Sequence, residues 1–116
     1  MSDQVYGINV PAADTLRKYG LTFSAWLDIV DQDVVDDCEG AVWLCPVCRK
    51  TPRTGRTVVD HFHVRGWKTM SPLLRVKYVR GVVCTTCNHF ILTRYGSPEK
   101  FRLAAAYLER YEKRAP

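Results

Sequence analysis

The chain has 116 residues, 47% hydrophobic and 25% charged, an ordinary balance for a soluble globular protein with one modest core. No apolar run approaches a membrane span, and Met1-Ser2-Asp3-Gln4 lacks the basic and apolar regions of a signal peptide. The expectation is therefore a cytoplasmic protein with no membrane partner, whose paired cysteines are metal ligands or redox groups rather than disulfides. The net charge of +5 is unevenly spread, with −6 on residues 1–44 and +11 on residues 45–116. A basic block of that kind suits a polyanion, and nucleic acid is the usual one; the plainer alternative is a solvated basic face.

Residues 1–10 show no periodicity and read as an irregular lead-in. Pro11 opens a short helix closed by Gly20, with Leu16 and Tyr19 on its inner face. Thr22 N-caps a second helix that runs to about Gln32, and Leu21 and Trp26 have the spacing of a hydrophobic staple across that cap. Trp26, Ile29 and Val30 form its apolar stripe. Both helices read as a packing platform without chemistry of their own. An acidic turn, Asp36-Asp37-Cys38-Glu39-Gly40, leads to the apolar segment Ala41-Val42-Trp43-Leu44 and then to Cys45-Pro46-Val47-Cys48.

Residues 49–56 form a basic, turn-rich loop, and Thr57-Val58-Val59 reads as a strand entering Asp60-His61. Residues 64–75 read as a polar, basic loop. Residues 76–83 read as a second strand, interrupted at Gly81, and a helix is expected from Thr85 to near Gly96. Ser97 caps a last helix with Pro98 in its first position. There Phe101, Ala104, Ala105, Leu108 and Tyr111 recur at helical spacing, as a core face or a dimer surface. The expected organisation is one α+β domain over residues 1–116. It comprises a helical platform at 11–44, a cysteine-bounded core at 45–96 and a closing helix at 97–116.

Cys45, Cys48, Cys84 and Cys87 form two CxxC pairs with 35 residues between them. Two tight knuckles, each presenting two thiolates, are what a tetrahedral zinc ion requires, and four thiolates leave no open coordination position. The expected role is a structural staple. Redox-active pairs are the alternative, but they lack a thioredoxin-like βαβ setting. Cys38 is left over and is given no role, though a lone extra cysteine is usually a small apolar filler.

Between the pairs lies Asp60-His61-Phe62-His63. Strand alternation puts His61 and His63 on one face and Asp60 on the other, unless a bend or bulge brings the three together. Asn88 follows the last cysteine directly, so a zinc ion holding Cys87 also places Asn88 relative to the hairpin. A carboxylate and an amide oxygen can share one hard cation such as Mg²⁺. Structural histidines are the plainer reading of His61 and His63.

The order CxxC, Val-Asp-His-x-His, Arg-Gly, CxxC-Asn resembles the bacteriophage recombination endonuclease VII family of HNH-like ββα-metal (His-Me finger) nucleases. The resemblance spans roughly residues 11–112 and includes Arg80-Gly81-Val82-Val83-Cys84 and Ala104-Ala105-Ala106-Tyr107-Leu108. It implies a zinc-stapled ββα-metal core with flanking N- and C-terminal helices and a Mg²⁺- or Mn²⁺-dependent endodeoxyribonuclease. It implies that Asp60 and Asn88 hold the catalytic ion, that His61 is the general base and that His63 contacts phosphate or shapes the site. Branched or duplex DNA is the implied partner, a homodimer is carried as an option, and the host cytoplasm is the implied location if the chain is phage-encoded. Arg49, Lys50, Arg53, Arg56, Arg65, Lys68, Arg75, Lys77 and Arg80 surround the hairpin as candidate phosphate contacts.

The sequence departs from the family pattern at Phe62, at His89-Phe90-Ile91-Leu92, and in a segment from His63 to Arg80 about a dozen residues longer than the family's compact hairpin. Two readings compete with an endonuclease: a non-catalytic zinc-knuckle DNA-binding protein, and a structural zinc module for protein contacts.

Overall fold

The structure, a computed structural model, describes residues 3–92 and 97–114, without the side chains of residues 111 and 114. Among the described residues, three two-stranded antiparallel sheets are interspersed with helices. The lead-in is a small hairpin rather than irregular chain: β1 (Gln4–Val5) pairs with β2 (Ile8–Asn9) across Tyr6-Gly7, both in left-handed conformation. Its Asn9 amide donates to the Gly55 carbonyl at 2.9 Å, and Ile8 enters the core. Period-2 patterning has no room to appear in strands of two residues, which is why the sequence hides this hairpin.

The two expected helices form, with shorter ends. Helix α1 (Ala13–Lys18) buries Leu16, and α2 (Phe23–Asp31) buries Trp26 and Val30. The Thr22 hydroxyl accepts from the Ala25 amide at 3.0 Å, and Leu21 and Trp26 are both buried on either side of that cap. The acidic segment is more ordered than expected. Strands β3 (Val34–Asp37) and β4 (Gly40–Trp43) pair antiparallel around Cys38-Glu39, with Gly40 at φ 126°. The Asp37 carboxylate accepts from the Glu39 amide at 2.8 Å, closing the turn.

The central element is the hairpin of β5 (Thr57–His61) and β6 (Val79–Cys84). The second strand starts three residues later than expected, because the segment before it is helical. Residues Trp67–Thr69 form a 3₁₀ turn, α3 spans Pro72–Arg75 with Pro72 in its first turn, and a further 3₁₀ turn covers Val76–Tyr78. After β6, α4 (Thr85–Cys87) continues into a π-helical segment, Asn88–Leu92. The expected end of that helix near Gly96 lies outside the described residues.

Val59, Val82 and Val83 of the hairpin pack with Trp26, Val30, Trp43 and Ile8 and with three of the four paired cysteines in one buried cluster. The last helix, α5 (Pro98–Arg114), adds no residue to that buried cluster among those described. Phe101 is half-buried, but Leu103, Tyr107 and Leu108 are 63%, 65% and 60% exposed, so the expectation of a core face fails for the described residues beyond Phe101. Among the described residues no helix is long and apolar enough to cross a membrane.

Candidate metal centre and adjoining polar site

The two CxxC pairs meet. The ligand atoms of Cys45, Cys48, Cys84 and Cys87 all lie within 4.8 Å of one another, and Cys48 Sγ and Cys84 Sγ are 3.9 Å apart. Zinc–sulfur bonds of ~2.3 Å in a tetrahedron put sulfurs about 3.8 Å apart. The four cysteines therefore fit a zinc ion in both chemistry and spacing.

Each knuckle is built from local backbone. In the first, the Cys45 amide donates to the Lys50 carbonyl at 2.9 Å and the Arg49 amide to the Cys45 carbonyl at 2.7 Å, and Arg49 itself is left-handed at φ 60°. In the second, the Cys87 amide donates to Cys84 Sγ at 3.4 Å, and the Cys84 amide donates across to Cys45 Sγ at 3.5 Å. Amides aimed at sulfur favour thiolate. At Cys45, burial pushes the thiol up, but the amides of Cys84, Cys48 and Val47 outweigh it and the net shift is downward. At Cys84 and Cys87 burial prevails and both thiols are raised. A metal ion reverses that balance, because a coordinated thiol is deprotonated outright. Cys38 is exposed in the β3–β4 turn, not a buried filler.

Thiolate geometry leads directly to the second site, because β6 ends at Cys84 and Asn88 follows Cys87. At the other end of the hairpin the pairing slips. Asp60 faces Gly81 and His61 faces Val79, so Arg80 is the extra residue of a β-bulge. The bulge turns Arg80 onto its neighbour: Nε donates to Asp60 Oδ2 at 2.8 Å and Nη2 to Oδ1 at 2.9 Å. Asp60 is 6% exposed, while the Arg80 side chain is 37% exposed. A bidentate guanidinium thus compensates a carboxylate taken almost wholly out of water.

Asp60 and Arg80 line a groove of about 650 Å³ together with Asp33, Gln32, Val47 and Phe101. His61 and His63 do not face that groove. They line a smaller cavity of about 340 Å³ with Trp67 and Lys68. Their rings stack at 5.0 Å and 11°, so the two histidines share a face, and the bulge leaves Asp60 on the other side. The His61 imidazole also stacks on Trp67, at 3.9 Å and 11°. Burial disfavours its charged form, as do His63, Arg80 and Arg75, while Asp60 works in the opposite direction; the net effect lowers its pKa. Asn88 opens the π-helical segment and is half-buried. Among the described residues no hydrogen bond links Asn88 to Asp60, and no second cluster of three His, Cys, Asp or Glu ligands forms.

Most of the basic residues expected around the hairpin are exposed: Arg49, Lys50, Arg53, Arg56, Arg65, Lys68 and Lys77. Two of the nine are otherwise engaged. Arg80 holds Asp60, and Arg75 donates to the backbone carbonyls of Trp67, Lys18 and Lys68, each at 3.1 Å. The sequence assigns Tyr19 and Trp67 no role at the site. Tyr19 comes from the platform and stands 5.9 Å from both His61 and Trp67. The signal for Trp67 was its presence in the extra segment, but the sequence does not say which ring it meets.

No curated protein sequence and no solved structure matches the chain. A family profile described as recombination endonuclease VII matches residues 17–110, which cover both cysteine pairs, the hairpin and most of α5. Membership implies a nuclease acting on DNA, and a match over that much of the chain places the protein in the recombination endonuclease VII family.

Proposed function

We propose that the protein is a divalent-metal-dependent DNA endonuclease of the ββα-metal (His-Me finger) plan, formed by the β5–β6 hairpin and the helical segment that begins at Thr85. One arrangement carries this reading. A buried carboxylate and an imidazole that resists protonation are neighbours on β5, and the strand paired with them runs into Cys84, Cys87 and Asn88. Asp60 and Asn88 would hold Mg²⁺ or Mn²⁺. Both offer hard oxygen donors, and a carboxylate has about four lone-pair sites, of which Arg80 uses two. A bound divalent ion would offset the charge that develops on the phosphate and on the leaving oxygen.

The remaining work falls to the chain's own side chains. His61, held neutral by its surroundings, accepts a proton from the attacking water at a ring nitrogen. His63, exposed beside it, contacts the phosphate, and the exposed cations from Arg49 to Lys77 hold the flanking backbone. The family resemblance implies 5′-phosphate and 3′-hydroxyl products. The substrate is branched DNA or duplex DNA nicked with little sequence preference. The four-cysteine zinc is structural in this reading, since a closed set of thiolates offers substrate no position.

Supercoiled plasmid tests the proposal. The wild-type protein nicks it with Mg²⁺ or Mn²⁺, and His61→Ala does not. Intact plasmid, or equal cleavage by the variant, overturns it. A second reading, a non-catalytic zinc-knuckle DNA-binding protein, is favoured by the Asp60–Arg80 pair, which already balances the buried charge. That reading expects intact plasmid together with DNA binding that weakens steeply with salt.

A further inference from the structure

The extra segment between His63 and Arg80 is docked firmly against the rest of the molecule. Gly66, at φ 84°, starts the 3₁₀ turn whose first residue, Trp67, lays its indole on the His61 imidazole at 3.9 Å and 11°. The Arg75 guanidinium carbon lies over the same indole, 5.1 Å from its centre. Its three donor nitrogens bond the carbonyls of Trp67 and Lys68, in the same segment, and of Lys18, in α1. The segment also meets the turn after α1 at Gly20, where φ is 72° and a Cβ would run into the Pro72 carbonyl oxygen. Glycine there permits the close approach. Tyr19, next to it, stands against both rings of the His61–Trp67 stack.

We infer that Trp67, clamped by Arg75, is a positioning residue for the proposed base His61; this inference rests on the endonuclease reading. The torsion that turns an imidazole about its Cβ–Cγ bond has a broad, shallow profile, so a half-exposed histidine at a strand end does not hold one ring plane unaided. A parallel indole restricts that rotation. It does so without blocking chemistry, because stacking covers the ring face while the nitrogen lone pairs point outward in the ring plane. Arg75 is suited to hold Trp67, since a planar guanidinium can stack on an aromatic and bond several carbonyls at once. An indole already in contact with an imidazole and a guanidinium is poorly placed to stack on a DNA base.

The test combines kinetics with a geometric readout that needs no metal or DNA. In the zinc-bound protein free of other divalent ions, the His61 ring protons are shifted upfield in the NMR spectrum by the Trp67 ring current. Trp67→Ala abolishes that shift, Trp67→Phe retains part of it, and Arg75→Ala reduces it. In plasmid nicking with Mg²⁺, Trp67→Ala lowers kcat on the order of 10²-fold with KM changed less than twofold, the scale expected for a misplaced reacting group. Trp67→Phe recovers most of the rate. Nicking by Trp67→Ala within twofold of wild type overturns the inference, and so does a loss confined to KM, which would make Trp67 a DNA contact. Should Trp67→Ala fail to fold, Trp67→Phe and Arg75→Ala decide by the same two measurements. If His61→Ala itself nicks at the wild-type rate, the endonuclease reading fails; if only His61→Ala is inactive, the positioning role alone fails.

Discussion

Asp60 and His61 are adjacent on one strand, yet they inhabit opposite environments. Asp60 turns into the groove beneath α2 and the start of α5, where it is buried and bound at both oxygens by a guanidinium. His61 turns to the other side, onto an aromatic stack supplied by the extra segment and by α1. The first environment compensates a charge and the second discourages one. A single bulge at Arg80 separates them, and the same four cysteines anchor both through β6. Putting an acid and a base in consecutive positions does not give them one environment; the strand's alternation divides them and the neighbouring elements decide each side.

The largest effect should come from removing what both sides share. Structural zinc contributes ~10–16 kcal/mol in small zinc-bound folds, as much as the ~5–15 kcal/mol stability of a whole domain. Cys45→Ser or Cys87→Ser, or treatment with a strong chelator, is expected to abolish the cooperative thermal transition by circular dichroism. Metal analysis should find about one zinc per chain in the wild type and a loss of that zinc in parallel with the fold. A metal-free chain that melts like the wild type would remove the staple from the account.

Next comes the imidazole side alone. Loss of a general base typically costs ~10²–10⁴-fold, so His61→Ala should lower the nicking rate by that factor while leaving zinc content and melting temperature near wild type. A variant equally impaired in folding would place His61 with the structural residues.

The acid side should respond in stability. Arg80→Ala leaves the buried Asp60 carboxylate without its partner. Such losses cost ~3–5 kcal/mol for fully buried pairs, and the exposure of Arg80 reduces the expectation to about 1–3 kcal/mol. Mn²⁺ should raise the melting temperature of Arg80→Ala more than that of the wild type, because the ion takes over the vacated charge balance. Equal shifts in both proteins would place the ion elsewhere.

A subtler effect is expected with pH. Burial lowers the His61 pKa, so folding favours the neutral ring. The acid limb of the nicking profile should have its midpoint below the ordinary value of ~6.5, and stability should decline as pH falls through that value. A midpoint above it would mean that the Asp60 charge outweighs burial. The smallest expected effect is at Gly81, opposite Asp60, where a Cβ has open space and φ is not positive. Gly81→Ala should be neutral or stabilising by ~0.4–1 kcal/mol in denaturant melts. If it nonetheless impairs nicking, the groove side receives metal or substrate.

Local chemistry explains why some of this is legible in the sequence alone. The Thr22 cap, the Leu21–Trp26 staple, the Pro98 helix start and the spacing of the cysteine pairs are short-range signals, each decided within a few residues. Strands of two residues leave no periodicity to read, which hid β1 and β2. The β3–β4 hairpin was hidden by polarity, since Asp36 and Asp37 sit in an exposed strand. The apolar spacing of α5 marks it as a helix, but spacing cannot say whether a face is covered, and Leu103, Tyr107 and Leu108 are exposed here.

By itself, then, the sequence determined an α+β chain with a thiolate cluster, a neighbouring Asp-His-x-His string and membership of a nuclease family. These are matters of residue type and spacing, and they survive any arrangement in which the cysteines meet. Tertiary structure alone decided that Arg80 pairs with Asp60, that His61 rests on Trp67, and that Arg75 is a clamp tied to Lys18 rather than a free cation. Arg80 and Asp60 are 20 positions apart and Arg75 and Lys18 are 57 apart, while His61 and Trp67, only six apart, meet because the segment between them folds back, and such partners are set only when the whole chain closes.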